Sequence, residues 1–450
     1  MPAISTFFGL ETTLRGLLAQ QGALDVTSHN IANTNTLGYS RQEAVFSSSD
    51  PLQVTDGARL STLASMGTGV DIQSFQRIRN QFLDLQYRAQ NMVLGDATTS
   101  SDAMSQIETS LQEPGSTGLS TQLGKFWSAW SDLASAPTSS AARQALVDQA
   151  GTVVDTLHSL DSQLTDASNQ ANAEYTSLTQ AGGEISQDAA QIASLNDAIK
   201  KAVASGDQPN DLMDKRDQLL DKLSGLGQVS VTDLGNGSIQ VSFGDAANPL
   251  VDDGTVNWPQ TLNNAGPPPT SAGGKLGALN DIFKSGGTVD SLRTDLNAIA
   301  KSLADQVNAI HNDGTATGVD FFSLGAAGTE AASIAVNVTP AQVVASSPTG
   351  AGDVAAAISN LRGSTTDSLY SAFVTRIGSM AQDAQRKEST AQSLVNSVDS
   401  SRQSTSGVSM DEEMTNMVKF QRAYQASARA MSTMDELLDI LINRTGKVGL

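Results

Sequence analysis

The sequence predicts a mainly α-helical protein made of long coiled-coil bundles, with paired terminal helices and a small β-hairpin region in the middle domain. Three features of the chain predict this class: an apolar stripe at each end, a long heptad pattern in the middle, and one short alternating stretch. Aromatic residues make up only 4% of the 450 residues. Cores with few rings, built from Ala and Leu, are typical of packed long helices.

Both ends of the chain carry apolar residues at the alternating three- and four-residue spacing of a coiled-coil seam. A stripe this narrow needs a partner helix, whereas a helix on a globular core has a broader apolar face. We therefore expect the first and last helices to pair and to form a seam for assembly. The first stripe contains Phe7, Leu10, Leu14, Leu17, Leu24 and Ile31, and the last contains Met417, Phe420, Tyr424, Met431, Met434, Leu438 and Leu441, with Ser427 as a polar interruption.

The first helix is predicted to end in the stretch from Asn30 to Tyr39, which is rich in Asn and contains Gly38. Asn side chains bond back to the backbone, and both residue types tolerate positive φ. On the residues alone this stretch is a helix stop. Tyr39 and Arg41 are then either surface residues or contacts.

Helical and extended patterns alternate through the middle of the chain. Residues 40–72 look irregular or extended, and the clearest heptad pattern covers 139–204 with a break at Gly182-Gly183. Another helix is predicted to begin near Pro209. The remaining predicted helices cover about 75–111, the stretch with Phe126, Trp127 and Trp130, and then 288–312 and 366–405.

From Val229 the pattern changes from helical to alternating, and the alternation continues to Phe243. Gly235-Asn236-Gly237 lies between the two alternating runs and supplies the positive-φ positions that a tight hairpin turn needs. The sequence therefore predicts a small β element at about 228–262.

The last predicted helix has an unusual composition. Ser409 and Glu412 have the spacing of a capping box, and the acidic run that follows suits the positive end of a helix dipole. Five of the eleven Met residues lie between Met410 and Met434. Because Met suits surfaces that must repack, this helix is predicted to meet several partners in turn.

The charge distribution excludes some function classes. Residues 1–50 carry four acidic and two basic side chains and residues 408–450 carry six and five, so most of the net charge of −20 lies between them. An acidic chain repels phosphate backbones, which argues against nucleic-acid binding. No stretch is long and apolar enough for membrane insertion, and the N-terminus lacks the basic region of a cleavable signal peptide.

The sequence offers no site for catalysis, a cofactor or a metal. It has no cysteine, and its three histidines lie far apart outside any known catalytic pattern. Asp214, Arg216 and Asp217 form a charged group on a short predicted helix, where ion pairing is the default role. We therefore predict that the protein is not an enzyme.

Several stretches resemble those of bacterial flagellar axial proteins. Residues 25–42, with Asn30-Ile31-Ala32-Asn33-Thr34-Asn35-Thr36-Leu37-Gly38-Tyr39, are similar to the N-terminal signature of rod, hook and hook-associated proteins. Residues 407–429, the segment Asn210-Asp211-Leu212-Met213-Asp214-Lys215-Arg216-Asp217 and Asp320-Phe321-Phe322 resemble the hook-associated protein 1 family. The resemblance covers about a quarter of the residues directly and keeps one order along the chain.

The resemblance implies a domain organisation and roles for particular residues. Residues 1–38 and 408–450 would form an inner coiled-coil domain, and 39–407 a middle helical bundle. Residues 323–362 would be a short connector where relatives often carry a large outer domain. An inter-domain bend would contain Asn30, Asn33, Asn35, Gly38 and Tyr39, and an export chaperone would bind Met410, Met414, Met417, Phe420, Tyr424 and Met431.

The function implied by the resemblance is a structural adaptor that joins hook to filament by forming a ring at the hook tip. Its partners would be copies of itself, the hook protein, the second junction protein, the export chaperone and the flagellar export apparatus. It would be cytoplasmic before export and then secreted to the flagellum. The alternatives are another axial component, such as a hook or rod protein, or a secreted helical-bundle adhesin.

Overall fold

The computed structural model describes residues 7–54, 64–111, 113, 115–258, 273–313, 319–348 and 351–444. Most of these residues lie in long helices, which confirms the mainly helical class. The helices are α1 (Phe8–Ala32), α2 (Gln81–Leu111), α3 (Leu119–Ser135), α4 (Ser140–Thr179), α5 (Glu184–Ala204), α6 (Asn210–Leu226), α7 (Gly274–Phe283), α8 (Thr288–Asp313), α9 (Glu330–Ser333), α10 (Asp353–Ser359), α11 (Thr365–Ser406) and α12 (Met410–Asp439), followed by a π-helical turn at Ile440–Arg444.

The strands form small antiparallel groups. They are β1 (Gln42–Ser48), β2 (Leu52–Val54), β3 (Ala64–Met66), β4 (Val70–Arg77), β5 (Val229–Asp233), β6 (Ile239–Phe243), β7 (Asp245–Asp252), β8 (Thr255–Val256), β9 (Phe322–Ser323) and β10 (Ala335–Val336). β1 pairs with β4, β2 with β3 and β9 with β10, while β5 to β8 form a four-stranded sheet in chain order. The hairpin expected from Val229 to Phe243 is β5–β6, with Val229 opposite Phe243.

The helix predicted from residue 75 begins later, at Gln81, because residues 70–77 form β4. β4 pairs with β1 and packs on α1, where a Cβ added to Gly22 would lie 2.5 Å from Ile72 Cδ1. A local pattern does not contain this distant partner strand, so a continuous helix looked equally suitable. The predicted break at Gly182-Gly183 falls between α4 and α5, where Gly182 has φ 79°.

One hydrophobic core runs through the bundle from Met104 in α2 to Ala384 in α11. Its centre is aromatic: Phe126 and Trp130 on α3 pack against Phe321 and Phe322, and the Trp130 and Phe321 ring centroids are 5.2 Å apart. In the described part of the chain, no member of this core belongs to α1 or α12. The terminal helices therefore lie outside the main core.

The segment after Phe322 is short and tied closely to the bundle. His311, at the end of α8, accepts a hydrogen bond on Nε2 from the Val344 amide (3.0 Å). Because Nε2 accepts, Nδ1 carries the proton and donates to the Val319 carbonyl (3.1 Å). His158 on α4 is half-buried, and its Nε2 lies 2.9 Å from the Ile334 carbonyl oxygen. The division into an inner domain, a middle domain and a connector stays a prediction.

Candidate functional site

α1 and α12 pack as an antiparallel pair, and small residues form the contact. A Cβ added to Gly9 would lie 3.0 Å from Met434 Cε, and one added to Gly16 would lie 3.5 Å from Ser427 Oγ. Asn30, fourteen residues further along α1, donates to Glu413, fourteen residues back along α12 (3.1 Å). Each step of seven residues on one helix thus matches a step of seven on the other.

This register gives the pair a seam on α1 that the apolar stripes did not predict. Gly9, Gly16, Ala23 and Asn30 recur at intervals of seven, and Ala23 and Asn30 are buried. Small side chains allow two helix backbones to approach closely, which the absence of a Cβ makes easiest. Ser427, which interrupts the apolar stripe of α12, lies opposite Gly16, where only a small side chain fits between the two backbones. The seven-residue repeat of small residues was visible in the sequence but carries no hydrophobic signal.

The bulky stripe predicted on α1 is only partly covered. Phe7 and Leu14 are exposed, and Leu10, Leu17, Leu24 and Ile31 are half-buried. The predicted stripe on α12 is also mixed. Leu438 is buried, Met434 is exposed, and the Leu441 side chain lies outside the described part of the chain. The half-buried members are Met417, Phe420, Tyr424 and Met431. The role of these residues in assembly stays a prediction.

Asn30 is the centre of the stretch that follows α1. Its side-chain amide donates to the Gln42 carbonyl (2.9 Å) and to Glu413 Oε2 (3.1 Å). Its oxygen accepts from the Tyr39 hydroxyl (2.8 Å) and the Gln42 amide (3.0 Å). Asn30 therefore uses both donors and both lone pairs to join the end of α1, the start of β1 and the start of α12.

The other residues predicted for the bend have different surroundings. Asn33 donates to the His29 carbonyl (3.0 Å), and Asn35 is exposed. Gly38 has φ 73°, a conformation that glycine adopts without steric cost, and lies against the Gln218 side chain. Burial, with nearby carboxylates, raises the pKa of Tyr39. The hydroxyl thus stays protonated and remains a donor. That these residues form an inter-domain bend stays a prediction.

Arg41 binds the acidic start of α12. Its Nε lies 2.8 Å from Oε1 of the buried Glu413, its Nη1 lies 2.6 Å from Glu412 Oε2, and its backbone amide donates to the Ser406 carbonyl (2.8 Å). The predicted capping box is wrong, because the Ser409 side chain makes no cap hydrogen bond. Glu412 instead pairs with a residue 371 positions away. Arg41 is therefore a contact and not a free surface residue.

The start of α6 packs against the same stretch, residues 40–42, that contacts α12. Ser40 donates through its amide and hydroxyl to Asp214 (2.9 and 2.7 Å). Gln42 donates to Asp211 Oδ1 (2.9 Å), and Asn210 donates to a β4 carbonyl (2.8 Å). Three stretches that are remote in the sequence, at residues 30–42, 210–217 and 409–413, thus converge. We call this convergence the junction.

Beside the junction lies a group of buried or nearly buried ion pairs, which we call the junction cluster. Its members are Arg77, Arg79, Arg88, Arg402, Asp84, Asp214, Asp217 and Asp221. Asp217 lies at its centre, within 2.8 Å of Arg77, 2.9 Å of Arg79 and 3.2 Å of Arg88. Four arginines balance four aspartates, so the cluster is formally neutral.

Three helices, the end of β4 and the short loop after it supply this cluster. Arg402 of α11 lies 3.0 Å from Asp84 of α2 and 2.8 Å from Asp221 of α6, and its guanidinium stacks 4.3 Å above the Tyr87 ring. Burial by itself would raise the pKa of Asp217, but Arg79, Arg77 and Arg88 outweigh it and lower that pKa. The carboxylate therefore stays ionised.

The pairing predicted for this charged group is found for Asp214 and Asp217, which bind arginines of other elements. Arg216 differs, since it donates to the Asn196 side chain (2.9 Å) and the Gly237 carbonyl (2.8 Å), tying α6 to α5 and the hairpin turn. The three- and four-residue spacing of Asp214, Asp217 and Asp221 on one helix face was the available signal for the cluster.

The arrangement is suited to positioning the elements that meet at the junction. Its carboxylates are held by arginines, by amides or by the Ser40 hydroxyl. Within the described ranges no group of three or more His, Asp or Glu could hold a metal ion. None of the helices described is long and apolar enough to cross a bilayer. Of the residues expected to bind a chaperone, Met410 and Met414 are exposed, while the other four are half-buried.

Three family models match this chain in the order expected from its motifs. The helical domain of the flagellar hook-associated protein FlgK matches residues 104–322. The flagella basal body rod protein model matches residues 10–39, and the C-terminal model of the basal body rod FlgEFG proteins matches residues 399–444. The junction thus joins segments that match three different models.

Individual proteins agree with these models. Flagellar hook-associated protein 1 of Salmonella typhimurium is 34% identical over 349 residues, covering 69% of this chain and 58% of that protein. The fold is also similar to the structure of the flagellar hook junction protein FlgK from Burkholderia pseudomallei. The two structures superpose with a TM-score of 0.61 at 16% sequence identity, and the match covers 72% of this chain and 100% of that chain.

Flagellar hook-associated protein 1 of Bacillus subtilis is 31% identical over 507 residues and aligns with 99% of both chains. The match covers both terminal helices, the junction and the bundle between them. This chain therefore belongs to the flagellar hook-associated protein 1 family.

Proposed function

We propose that this protein is a structural adaptor that forms a ring at the hook tip and joins the hook to the filament. The observation that carries the proposal is the junction. It ties the terminal helix pair to the bundle through a fully used Asn30 and buried ion pairs. An adaptor subunit must fit the hook on one side and the filament on the other, so the angle between its terminal helix pair and its bundle has to be fixed.

The terminal pair supplies the assembly surface in this proposal. On α1 the seam uses small residues, and bulky apolar side chains of the pair remain exposed, among them Leu14 and Met414. Polymerisation with like and related subunits would cover them. Seam helices in a free subunit have little packing, and isolated helices depend on packing for most of their stability.

The partners follow from this role. Copies of the chain form the ring, the hook protein lies below and the second junction protein lies above. An export chaperone binds the Met-rich helix α12 before the chain leaves the cell unfolded through the flagellar export apparatus. The protein has no catalytic role in this proposal, since the charged groups of the junction already bind one another.

The experiment is deletion of the gene followed by electron microscopy and a motility assay. Bare hooks, with flagellin lost to the medium, are the expected result. Restoring the intact gene should restore filaments. Normal filaments after deletion, or cells without hooks, would reject the adaptor role.

A hook or rod protein is a weaker candidate. The models matched by the two ends are described as rod proteins, so the ends alone are compatible with several axial components. The segment between them matches the helical domain of a hook-associated protein. Loss of hooks on deletion would favour the hook or rod alternative.

A further inference from the structure

Helix α2 carries one apolar face along its length, but only half of that face is covered. In the C-terminal half, Met104 and Ile107 are buried in the core. In the N-terminal half, the side chains of Phe82, Leu85 and Val93 are 71%, 56% and 45% exposed. Val93 and Met104 are eleven residues apart, which is about three helical turns, so both halves belong to one face. We call the exposed half the open face.

A third helix explains why the covered half ends where it does. α7 starts beside Met92, since a Cβ added to Gly273 would lie 3.0 Å from the Met92 sulfur. From there α7 packs on α2 and contributes Leu276 and Leu279 to the core. Beyond the start of α7, no element in the described part of the chain buries the open face. Among the described residues, a third-helix position is therefore filled along one half of α2 and free along the other.

α11 completes the open face by forming a groove with α2. The groove has a volume of about 580 Å³, and Met92, Val93, Ala97, Ala391 and Leu394 contribute its apolar lining. Leu394 is 46% exposed although its neighbour Ala391 is buried. The rim carries both signs of charge, with Asp96 and Asp383 beside Arg386 and Lys387.

The charge pattern favours a second copy of this chain as the occupant. Between Asp84 and Asp96 the only charged residue of α2 is Arg88, which is buried in the junction cluster, and α11 has no charged residue between Glu388 and Asp399. Two chains of net charge −20 repel each other, and the repulsion is weakest where both facing surfaces are uncharged. A rim with both signs can also match an identical rim, whereas a partner of one strong charge would meet repulsion at half of it.

We propose that the open face, with the groove between α2 and α11, is the surface on which a helix of a second copy of this chain docks. The surface would be the lateral contact between neighbours in the ring, and it rests on the proposed function in that respect. It is separate from the terminal helices, so a subunit would hold its neighbours at two levels.

The test is a photo-crosslinking amino acid at Val93 in the full chain, produced as the only copy in cells that build flagella. Isolated hook–filament structures are irradiated, and products are identified by mass spectrometry. We expect a product of twice the chain mass that contains two copies of this chain. The matched control is the same amino acid at Leu369, which is also exposed on α11 but lies outside the groove. It should give no such product.

Three outcomes would overturn the inference: a product with a different protein, a product confined to one chain, or no product from hooks that still carry filaments. The last outcome leaves the adaptor role intact, because that role is tested by deletion of the gene. A second variant, Val93→Arg, places a charge on the open face. It should increase filament shedding several-fold with unchanged circular dichroism, while Leu369→Arg should not. Equal shedding from both variants would also reject the surface.

Discussion

The terminal helix pair and the helical bundle are stabilised in different ways. The bundle buries Trp130, Phe126 and Phe321 in one continuous core. In α12 only Glu413 and Leu438 are buried, and Glu413 is held by an ion pair with Arg41. The bundle therefore has enough apolar burial to be stable as one unit, whereas the pair depends on close backbone contact and on the junction.

The difference teaches how a subunit can be folded and still ready to assemble. Apolar residues that would stabilise an independent domain are kept partly exposed on α1 and α12, while the bundle buries most of its large apolar residues in one core and leaves the open face of α2 and the groove beside it uncovered. The junction connects the two regions by polar contacts, which specify geometry better than they add stability. Four predictions test this comparison.

The largest effect is expected in the aromatic core. Trp130→Ala should lower the free energy of unfolding of the bundle by about 4 kcal/mol, because it leaves a large cavity. Urea unfolding followed by circular dichroism measures this change. The control Phe82→Ala removes an exposed ring and should change it by less than about 0.5 kcal/mol. If both variants lowered the free energy of unfolding equally, burial would not explain the stability of the bundle.

The junction cluster should come next. Asp217→Ala leaves Arg77, Arg79 and Arg88 short of a buried partner, and removing one member of such a pair costs about 3 kcal/mol. Urea unfolding again provides the measurement. Asp305→Ala, which breaks an exposed pair with Lys301, is the control and should cost well under about 1 kcal/mol. If both variants behave alike, the cluster is not a special link between the regions.

A smaller and more local effect is expected in the terminal pair. Gly16→Leu places a bulky side chain where a Cβ would already be 3.5 Å from Ser427. The overpacking should cost about 2 kcal/mol and speed amide hydrogen exchange in α12, leaving the bundle unchanged. Gly151→Leu in α4 has no atom within 4 Å of the added Cβ and serves as the control. Faster exchange throughout the bundle would contradict the separation of the two regions.

The smallest effect concerns pH and belongs to the bundle alone. Burial lowers the pKa of His311 below its ordinary value of 6.5. The unfolded chain then binds the proton more readily, so stability is full above pH 6.5 and is lost as the pH falls below it. Between pH 7 and pH 5 we therefore expect the free energy of unfolding to decrease. His311→Gln should remove this slope in urea unfolding, and a slope that persists would assign it to other groups.

Local patterns predicted much of the fold because they depend on nearby residues. The heptads of α4 and α5, the break at Gly182-Gly183 and the hairpin turn at Gly235-Asn236-Gly237 were all read from spacing and turn chemistry. The start of α2 was misplaced because β4 owes its existence to β1, a partner outside any local window.

The candidate site was predicted only in part. Asn30 and Tyr39 were recognised by composition and resemblance, but their partners Gln42 and Glu413 were not. Glu413 lies 383 residues from Asn30, and no periodicity specifies a pairing over that distance. For the same reason, the arginines that hold Asp217 were not identified.

The sequence by itself determined the helical class, the acidic middle, the apolar stripes and the motifs that place the chain among flagellar proteins. Only the tertiary structure decided which residues of each helix are covered by a neighbouring helix. Gly9 and Gly16 meet α12 while Leu14 remains exposed, and the face of α2 that buries Met104 leaves Val93 open. Periodicity identifies an apolar face, but only the arrangement of the other helices determines what covers it.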